Sequence, residues 1–129
     1  MKRPSDRVWI GLVADVGRLD DGGFNEYTHK GVAQAAQEHG VKVEALQSRS
    51  AVEYEENIRH LAEQGCPLIV TVGSVRGAAA ERLALRYPKT HFLIVDHEPL
   101  PESQNVTGLV FAEDQAGFLA GALAGLVTE

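Results

Sequence analysis

Short runs of consecutive apolar residues alternate along the chain with longer stretches in which apolar residues recur every three or four positions. The short runs predict strands over residues 8–14, 41–46, 68–72, 91–95 and 106–111. The longer stretches predict helices over residues 24–40, 50–65, 74–87 and 113–127. Because crossovers between parallel strands are right-handed, we expect an α/β fold: a doubly wound, five-stranded parallel sheet in the order 2-1-3-4-5, flanked by helices.

Particular residues mark where these helices start and stop. Gly40 suits the left-handed position just past the end of the first helix. Ser50 and Glu53 form a capping box, in which Ser50 accepts from the backbone amide of Glu53 and the Glu53 carboxylate reaches back. Pro88 stops the third helix. The apolar stripe that the second helix turns to the core comprises Tyr54, Ile58, Leu61 and Ala62.

The last predicted helix is apolar on every side. All twelve residues from Ala116 to Val127 are apolar or glycine, and they extend about 18 Å, too short for a bilayer core of about 30 Å. Both faces must therefore be covered, either by the sheet and a neighbouring helix, by the rest of a longer chain, or by a second copy. A homodimer would use the groove of small residues formed by Gly117, Gly121 and Gly125.

Composition and charge are those of a soluble single-domain protein. The chain has 129 residues, of which 44% are hydrophobic and 23% charged. Twelve basic against eighteen acidic side chains give a net charge of −6 without a basic cluster, which argues against nucleic acid as a partner. The lone Cys66 excludes an intramolecular disulfide and a cysteine zinc site, and we expect it to fill space in the core.

The first seven residues, Met-Lys-Arg-Pro-Ser-Asp-Arg, run straight into the first predicted strand. They lack the apolar core and the cleavage site of a secretory signal. Two interpretations stay open: a cytoplasmic protein, or a chain from which a leader has been removed.

Polar side chains follow three of the predicted strands. Asp15 comes after the first strand, Ser74 after the third and Asp96 after the fourth, and α/β sheets bind ligands at this carboxyl edge. Phe24 adds an aromatic face if the loop before it folds back over the crevice. Two carboxylates and a ring suit a flat, neutral ligand rich in hydrogen-bonding groups, such as a nucleoside, better than an anion. The alternative is that Asp15 and Asp96 only cap the adjoining helix or loop.

Other chemistries fit the sequence poorly. Gly22 and Gly23 precede a helix, but two aspartates stand beside them and no Gly-Lys-Ser/Thr motif follows, so they do not form a phosphate loop. Residues 73–77, Gly-Ser-Val-Arg-Gly, suit an anion better, although close backbone packing is the simpler explanation of their glycines. The strand ends lack the aspartate and lysine of a phospho-accepting receiver domain.

The residue pattern predicts neither a catalytic site nor a metal site. No nucleophile has an evident base, so we expect no catalytic residue and no enzymatic activity. The five histidines do not have metal-ligand spacing, and the adjacent side chains of Asp96, His97 and Glu98 diverge. We therefore expect neither a metal nor another cofactor.

Two groups of motifs carry a resemblance to a known family. Residues 11–25 read Gly-Leu-Val-Ala-Asp-Val-Gly-Arg-Leu-Asp-Asp-Gly-Gly-Phe-Asn, and the second group comprises residues 92–96, 105–108 and 113–125. In order and spacing they resemble the basic membrane protein family, the purine-nucleoside-receptor type of ABC-transporter solute-binding lipoprotein. The resemblance implies that residues 1–129 form one N-terminal lobe of a periplasmic-binding-protein-like fold, with the second lobe absent.

The resemblance also implies roles for individual residues. Asp15 and Asp96 would hydrogen-bond the base of a purine nucleoside, Phe24 would stack on it, and Asn25 would order the loop. The full-length parent would be extracytoplasmic, either membrane-anchored or periplasmic, and would have the membrane subunits of an ABC transporter as partners.

Three departures from the family pattern qualify these expectations. Gly22 and Gly23 replace a common Lys-Ser pair, and both the lipobox cysteine and the second lobe are missing. One lobe covers about half of a nucleoside, so we expect weak or undetectable binding by this chain alone, unless a second copy substitutes for the missing lobe. The alternative function is a self-associating regulatory or scaffold domain with a vestigial crevice.

Overall fold

The computed structural model describes residues 8–73 and 75–128. In this part of the chain the elements are β1 (Trp9–Val16), α1 (Phe24–His39), β2 (Lys42–Ser48), α2 (Ala51–Glu63), β3 (Leu68–Val72), α3 (Gly77–Ala84), β4 (His91–Val95), β5 (Val106–Leu109) and α4 (Glu113–Val127). Two predictions fall outside the described residues: the interpretation of the first seven residues and the site role of Ser74.

The five strands form a single sheet in the order β2-β1-β3-β4-β5, and each neighbouring pair is parallel. This confirms the predicted α/β fold and strand order. Helices α2 and α3 cover one face, where the larger core cluster includes the fully buried Tyr54, Leu61 and Phe92. Helix α1 lies on the other face, where a smaller cluster contains Leu12, Val32, Val70 and Val95.

Several local predictions are confirmed and others need correction. Gly40 follows α1 with φ of 64°, Ser50 caps α2 by accepting from the Glu53 amide at 3.1 Å, and Cys66 is fully buried. The predicted third helix was too long: α3 ends at Ala84, and Arg86 and Tyr87 instead donate to carbonyls three residues back. Strand β1 is longer than predicted, and β5 is shorter, because its pairing with β4 ends where Val95 meets Leu109.

Helix α4 stands apart from the rest of the described chain. None of its residues is buried, and Leu126 is 85% exposed. The expectation that the chain's own sheet and a neighbouring helix cover both faces of this helix is therefore wrong. Within the described residues, no helix combines the length and apolar character needed to cross a bilayer.

Candidate functional site at the sheet edge

The strands that carry Asp15 and Asp96 run parallel on either side of β3. Val13 lies opposite Thr71 in β3, and Thr71 lies opposite Ile94 in β4. Beyond this point β1 is irregular, with a register shift between Val13 and Val16. Asp15 lies inside β1, one residue before its end and not after the strand as predicted, whereas Asp96 directly follows β4. Because neighbouring strands are about 4.8 Å apart and only β3 lies between β1 and β4, the carboxyl ends of β1 and β4 are about 10 Å apart.

Asp15 faces a cation that the sequence analysis did not assign to it. Its Oδ1 lies 2.9 Å from Nε of Arg76, and the two side chains are 14% and 27% exposed. The same oxygen accepts from the backbone N–H of Val16 at 2.6 Å. Arg76 Nε is buried without a well-aligned hydrogen bond to any described residue, so the contact with Asp15 is an ion pair with poor hydrogen-bond geometry. Arg76 thus offsets part of the charge of Asp15.

Asn25 ties the start of α1 to the end of β1. Its side chain is 5% exposed, its Oδ1 accepts from the Asp15 N–H at 2.9 Å, and its Nδ2 lies 3.4 Å from the Asp15 carbonyl oxygen. Both polar atoms of the Asn25 side-chain amide therefore contact the backbone of Asp15. Asn25 orders the strand-to-helix connection, and through it the backbone that carries the Asp15 carboxylate.

The loop before α1 is held by a carboxylate that the sequence analysis did not single out. Asp21 Oδ1 accepts from the backbone N–H groups of Gly23 at 2.8 Å and Glu26 at 3.1 Å. The hydrogen bond from the Gly23 amide lowers the pKa of Asp21. Because Gly23 has no side chain to cap α1, Asp21 satisfies amides of the first turn in its place.

Phe24 is the first residue of α1, and its ring is 46% exposed. It forms a tilted pair with Phe111, which follows β5: the ring centroids are 6.0 Å apart and the planes meet at 53°. Phe24 is thus accessible to a ligand and is not covered by its own helix. Phe111 was missed as a site residue because it was predicted to be the last residue of the fifth strand, whereas β5 ends at Leu109.

Below this aromatic pair lies an open apolar groove of about 640 Å³. It separates α1 from the uncovered face of the sheet. Its floor and walls are lined by Ile10, Val32, Val70, Leu93, Val95 and Leu109, among others. Three residues of the smaller core cluster, Val32, Val70 and Val95, also line the groove.

Asp96 leaves β4 in an unusual conformation. Its φ of 61° is the one positive value at a non-glycine residue within the described ranges, and aspartate tolerates this region better than most residues. Its N–H donates to the Leu109 carbonyl oxygen at 2.7 Å, and the residue is half-buried. Among residues 8–73 and 75–128, no three His, Cys, Asp or Glu side chains are placed to hold a metal ion.

Comparisons with known proteins agree with this architecture. The ABC transporter nucleoside-binding protein BmpA of Lactococcus lactis subsp. cremoris is 30% identical over 122 residues, which are 92% of this chain and 34% of that protein. A lipoprotein of Pyrococcus furiosus is 28% identical over 92% of this chain and 30% of its own length. The crystal structure of an ABC transporter solute-binding protein from Aeropyrum pernix K1 superposes with a TM-score of 0.80, at 29% identity, over 88% of this chain and 31% of that one.

The chain therefore spans about a third of the length of these relatives. The comparisons do not favour the alternative of a regulatory or scaffold domain. The predicted resemblance is confirmed, since residues 10–129 match the Bmp family, described as ABC transporter substrate-binding protein PnrA-like, and the chain belongs to that family.

Proposed function

We propose that this chain is the N-terminal ligand-binding lobe of a solute-binding protein for purine nucleosides, and that it holds its ligand without chemical change. In this proposal Asp15 and Asp96 accept hydrogen bonds from the base and Phe24 stacks on it. That Ser74 contributes a hydroxyl stays a prediction from the sequence. The observation that carries the proposal is that Asp15, near the end of β1, and Asp96, directly after β4, lie at the carboxyl edge of one parallel sheet, in a chain of this family.

The geometry of the edge supports a flat heterocycle. Only β3 separates β1 from β4, so the carboxyl ends of these two strands are about 10 Å apart, a spacing that suits one planar ring hydrogen-bonded at both edges. Phe24 offers an exposed aromatic ring at the start of α1, after the loop that follows β1. Asn25 contributes indirectly, because it fixes the backbone of Asp15 and is itself buried.

The charges of the edge support a neutral ligand. Arg76 offsets Asp15, which leaves Asp96 as an acceptor without a described ion-pair partner. An ionised carboxylate accepts hydrogen bonds and repels phosphate. The exocyclic amino and ring N–H groups of a purine supply the donors that such an edge needs, whereas a nucleotide would bring its own negative charge.

The role of the whole protein follows from its relatives and is part of the proposal. One relative is named as a nucleoside-binding protein of an ABC transporter, and another as a lipoprotein. We infer that the full-length parent delivers its ligand to transporter subunits outside the cytoplasm, either anchored to the membrane or in the periplasm. A second lobe would cover the other side of the ligand, so this chain alone should bind with Kd on the order of 1 mM.

Titration of the ¹⁵N-labelled chain with adenosine, guanosine, uridine and ribose tests the proposal. We expect the two purine nucleosides to shift the amide signals of Val16, Phe24 and Asp96, and ribose to shift none. Replacing either carboxylate, as Asp15→Asn or Asp96→Asn, should weaken binding by about tenfold, since a hydrogen bond to a charged group contributes about 1.5–3 kcal/mol.

Asp114→Asn is the matched control, because Asp114 is an exposed aspartate on α4. It should leave the titration curves unchanged. The proposal fails if no nucleoside shifts the edge amides at several times the expected Kd, or if the Asp114 variant loses as much affinity as the Asp15 variant.

A further inference from the structure

A buried carboxylate lies behind the loop that carries Asp96. Glu81 belongs to α3, and the residue is only 4% exposed. Burial of an ionised group is costly unless hydrogen bonds replace its water. Burial raises the pKa of Glu81, but hydrogen bonds from Ser103, His97 and the Leu100 amide outweigh this effect, so the pKa lies below its ordinary 4.5.

All of these hydrogen bonds come from the single loop between β4 and β5. The Leu100 N–H donates to Oε1 of Glu81 at 2.8 Å, and the Ser103 hydroxyl donates to the same oxygen. Nε2 of His97 lies 2.9 Å from Oε2. Because an ionised carboxylate only accepts, Nε2 of His97 must carry the proton, which fixes the tautomer when the ring is neutral.

The far end of the loop is fastened to the same helix. Nδ2 of Asn105 lies within hydrogen-bonding distance of the carbonyl oxygens of Ala84, Tyr87 and Thr90, at 2.9, 3.2 and 2.9 Å. The first of these carbonyl groups belongs to the last residue of α3, and the other two belong to the turns that follow the helix. The loop is therefore held to α3 both at Glu81 and at Asn105.

The path of the loop depends on glycines that leave room for His97. A Cβ atom on Gly77 would lie 2.2 Å from Nδ1 of His97, and a Cβ atom on Gly108 would lie 2.0 Å from the His97 carbonyl oxygen. His97 thus occupies one closely fitted position against α3 and β5. Asp96 directly precedes His97 in the chain and has a positive φ.

We propose that Glu81 is the positioning residue of the Asp96 side of the ligand site: by holding His97, Leu100 and Ser103, it keeps Asp96 in the left-handed conformation that sets the direction of its carboxylate. The expected effect on ligand binding rests on the proposed function. Residues other than glycine seldom adopt this left-handed conformation, so the loop must be held from elsewhere for Asp96 to keep it. Glu81 itself does not touch the ligand.

The test uses three NMR readouts on the full chain and the variant Glu81→Gln, which has one acceptor oxygen in place of two. Long-range ¹H–¹⁵N spectra report the Nε2–H tautomer of His97, and the intraresidue HN–Hα NOE of Asp96 reports its positive φ. Titration with guanosine reports affinity. We expect Glu81→Gln to weaken both structural signals and to raise the Kd by about tenfold, as removal of groups behind metal ligands does.

Two further variants serve as a control and as an independent test. Glu102→Gln changes an exposed glutamate of the same loop and should leave all three readouts as in the unaltered chain. Ser103→Ala removes one donor to Glu81 and should give an effect in the same direction as Glu81→Gln, but smaller, even if Glu81→Gln fails to fold.

The outcomes distinguish this inference from the function that it builds on. If the unaltered chain binds no nucleoside, the proposed function fails, while the His97 and Asp96 signals still decide whether Glu81 holds the loop. The inference is overturned if the Glu81 and Ser103 variants keep both signals. It is also overturned if the signals are lost while guanosine binding stays unchanged.

Discussion

Gly31 and Gly77 are both helical glycines, in α1 and α3, but their surroundings differ. A Cβ atom built on Gly31 meets nothing within 4 Å, whereas one on Gly77 would lie 2.2 Å from Nδ1 and 2.9 Å from Cβ of His97. Alanine is favoured over glycine in a helix by about 1 kcal/mol. Forcing a methyl group into a packed contact costs about 1–3 kcal/mol.

These two positions should therefore respond to alanine with opposite signs. We expect Gly31→Ala to raise the free energy of unfolding by about 0.5–1 kcal/mol, and Gly77→Ala to lower it by about 1–2 kcal/mol. Urea unfolding followed by circular dichroism measures both. Equal changes in the two variants would mean that His97 does not occupy the position that the structure gives it.

At the same scale, the sequence predicts that Asp15 and Asp96 lie at the carboxyl edge of the sheet, but it does not predict which groups contact them. Asp15 and Asp96 could be predicted because each ends a run of buried apolar residues, and parallel strands end at a common edge. The partners of these residues could not be predicted. The contact of Arg76 with Asp15 depends on where α3 begins, and the contacts of Glu81 depend on the path of an irregular loop. No periodic pattern encodes either.

At the scale of the elements, α2 shows how a local signal fixes a boundary. Ser50 Oγ accepts from the Glu53 N–H, as the capping box predicted. The Glu53 carboxylate reaches back, but to the backbone N–H of Arg49 at 2.6 Å, one residue before the cap. The start of the helix was therefore predictable from four residues, while the choice of amide was decided by the local fold.

This cap gives a prediction for the stability of the chain. Ser50→Ala should lower the free energy of unfolding by about 1 kcal/mol, because the Glu53 amide loses its acceptor, whereas Ser50→Asp keeps an acceptor and should cost much less. Urea unfolding of the two variants beside the unaltered chain checks this expectation. A loss of the same size in both would show that the hydroxyl matters for packing rather than for capping.

Strands β3 and β4 were predicted to the residue because breaks flank both of them. Pro67 precedes β3 and Gly73 follows it, while Asp96 ends β4. Helix α4 was also predicted, but its surroundings were not. The sequence shows that its residues are apolar, and only the three-dimensional structure shows that none of them is buried.

At the scale of the whole molecule, two apolar surfaces are uncovered in the part of the chain that the structure describes. One is the groove between α1 and the sheet, and the other is α4, whose Phe118, Leu119 and Leu126 are 74%, 68% and 85% exposed. Exposed apolar surface of this extent is unusual for a soluble monomer and marks sites of association. Since the chain spans about a third of its relatives' length, the remainder of a longer protein would cover such surfaces, and a second copy is the alternative that the sequence analysis raised.

Sedimentation velocity over a range of concentrations tests the homodimer through α4. A Cβ atom on Gly117, Gly121 or Gly125 meets nothing within 4 Å, so Gly121→Leu leaves the single chain undisturbed and obstructs only a helix that approaches this face. Ala122→Leu adds similar bulk about 100° further around α4 and serves as the control. If the glycine face is the interface, the unaltered chain and the Ala122 variant should sediment as dimers at high concentration, and the Gly121 variant as a monomer. A chain that sediments as a monomer at every concentration would remove the second copy as the cover for α4.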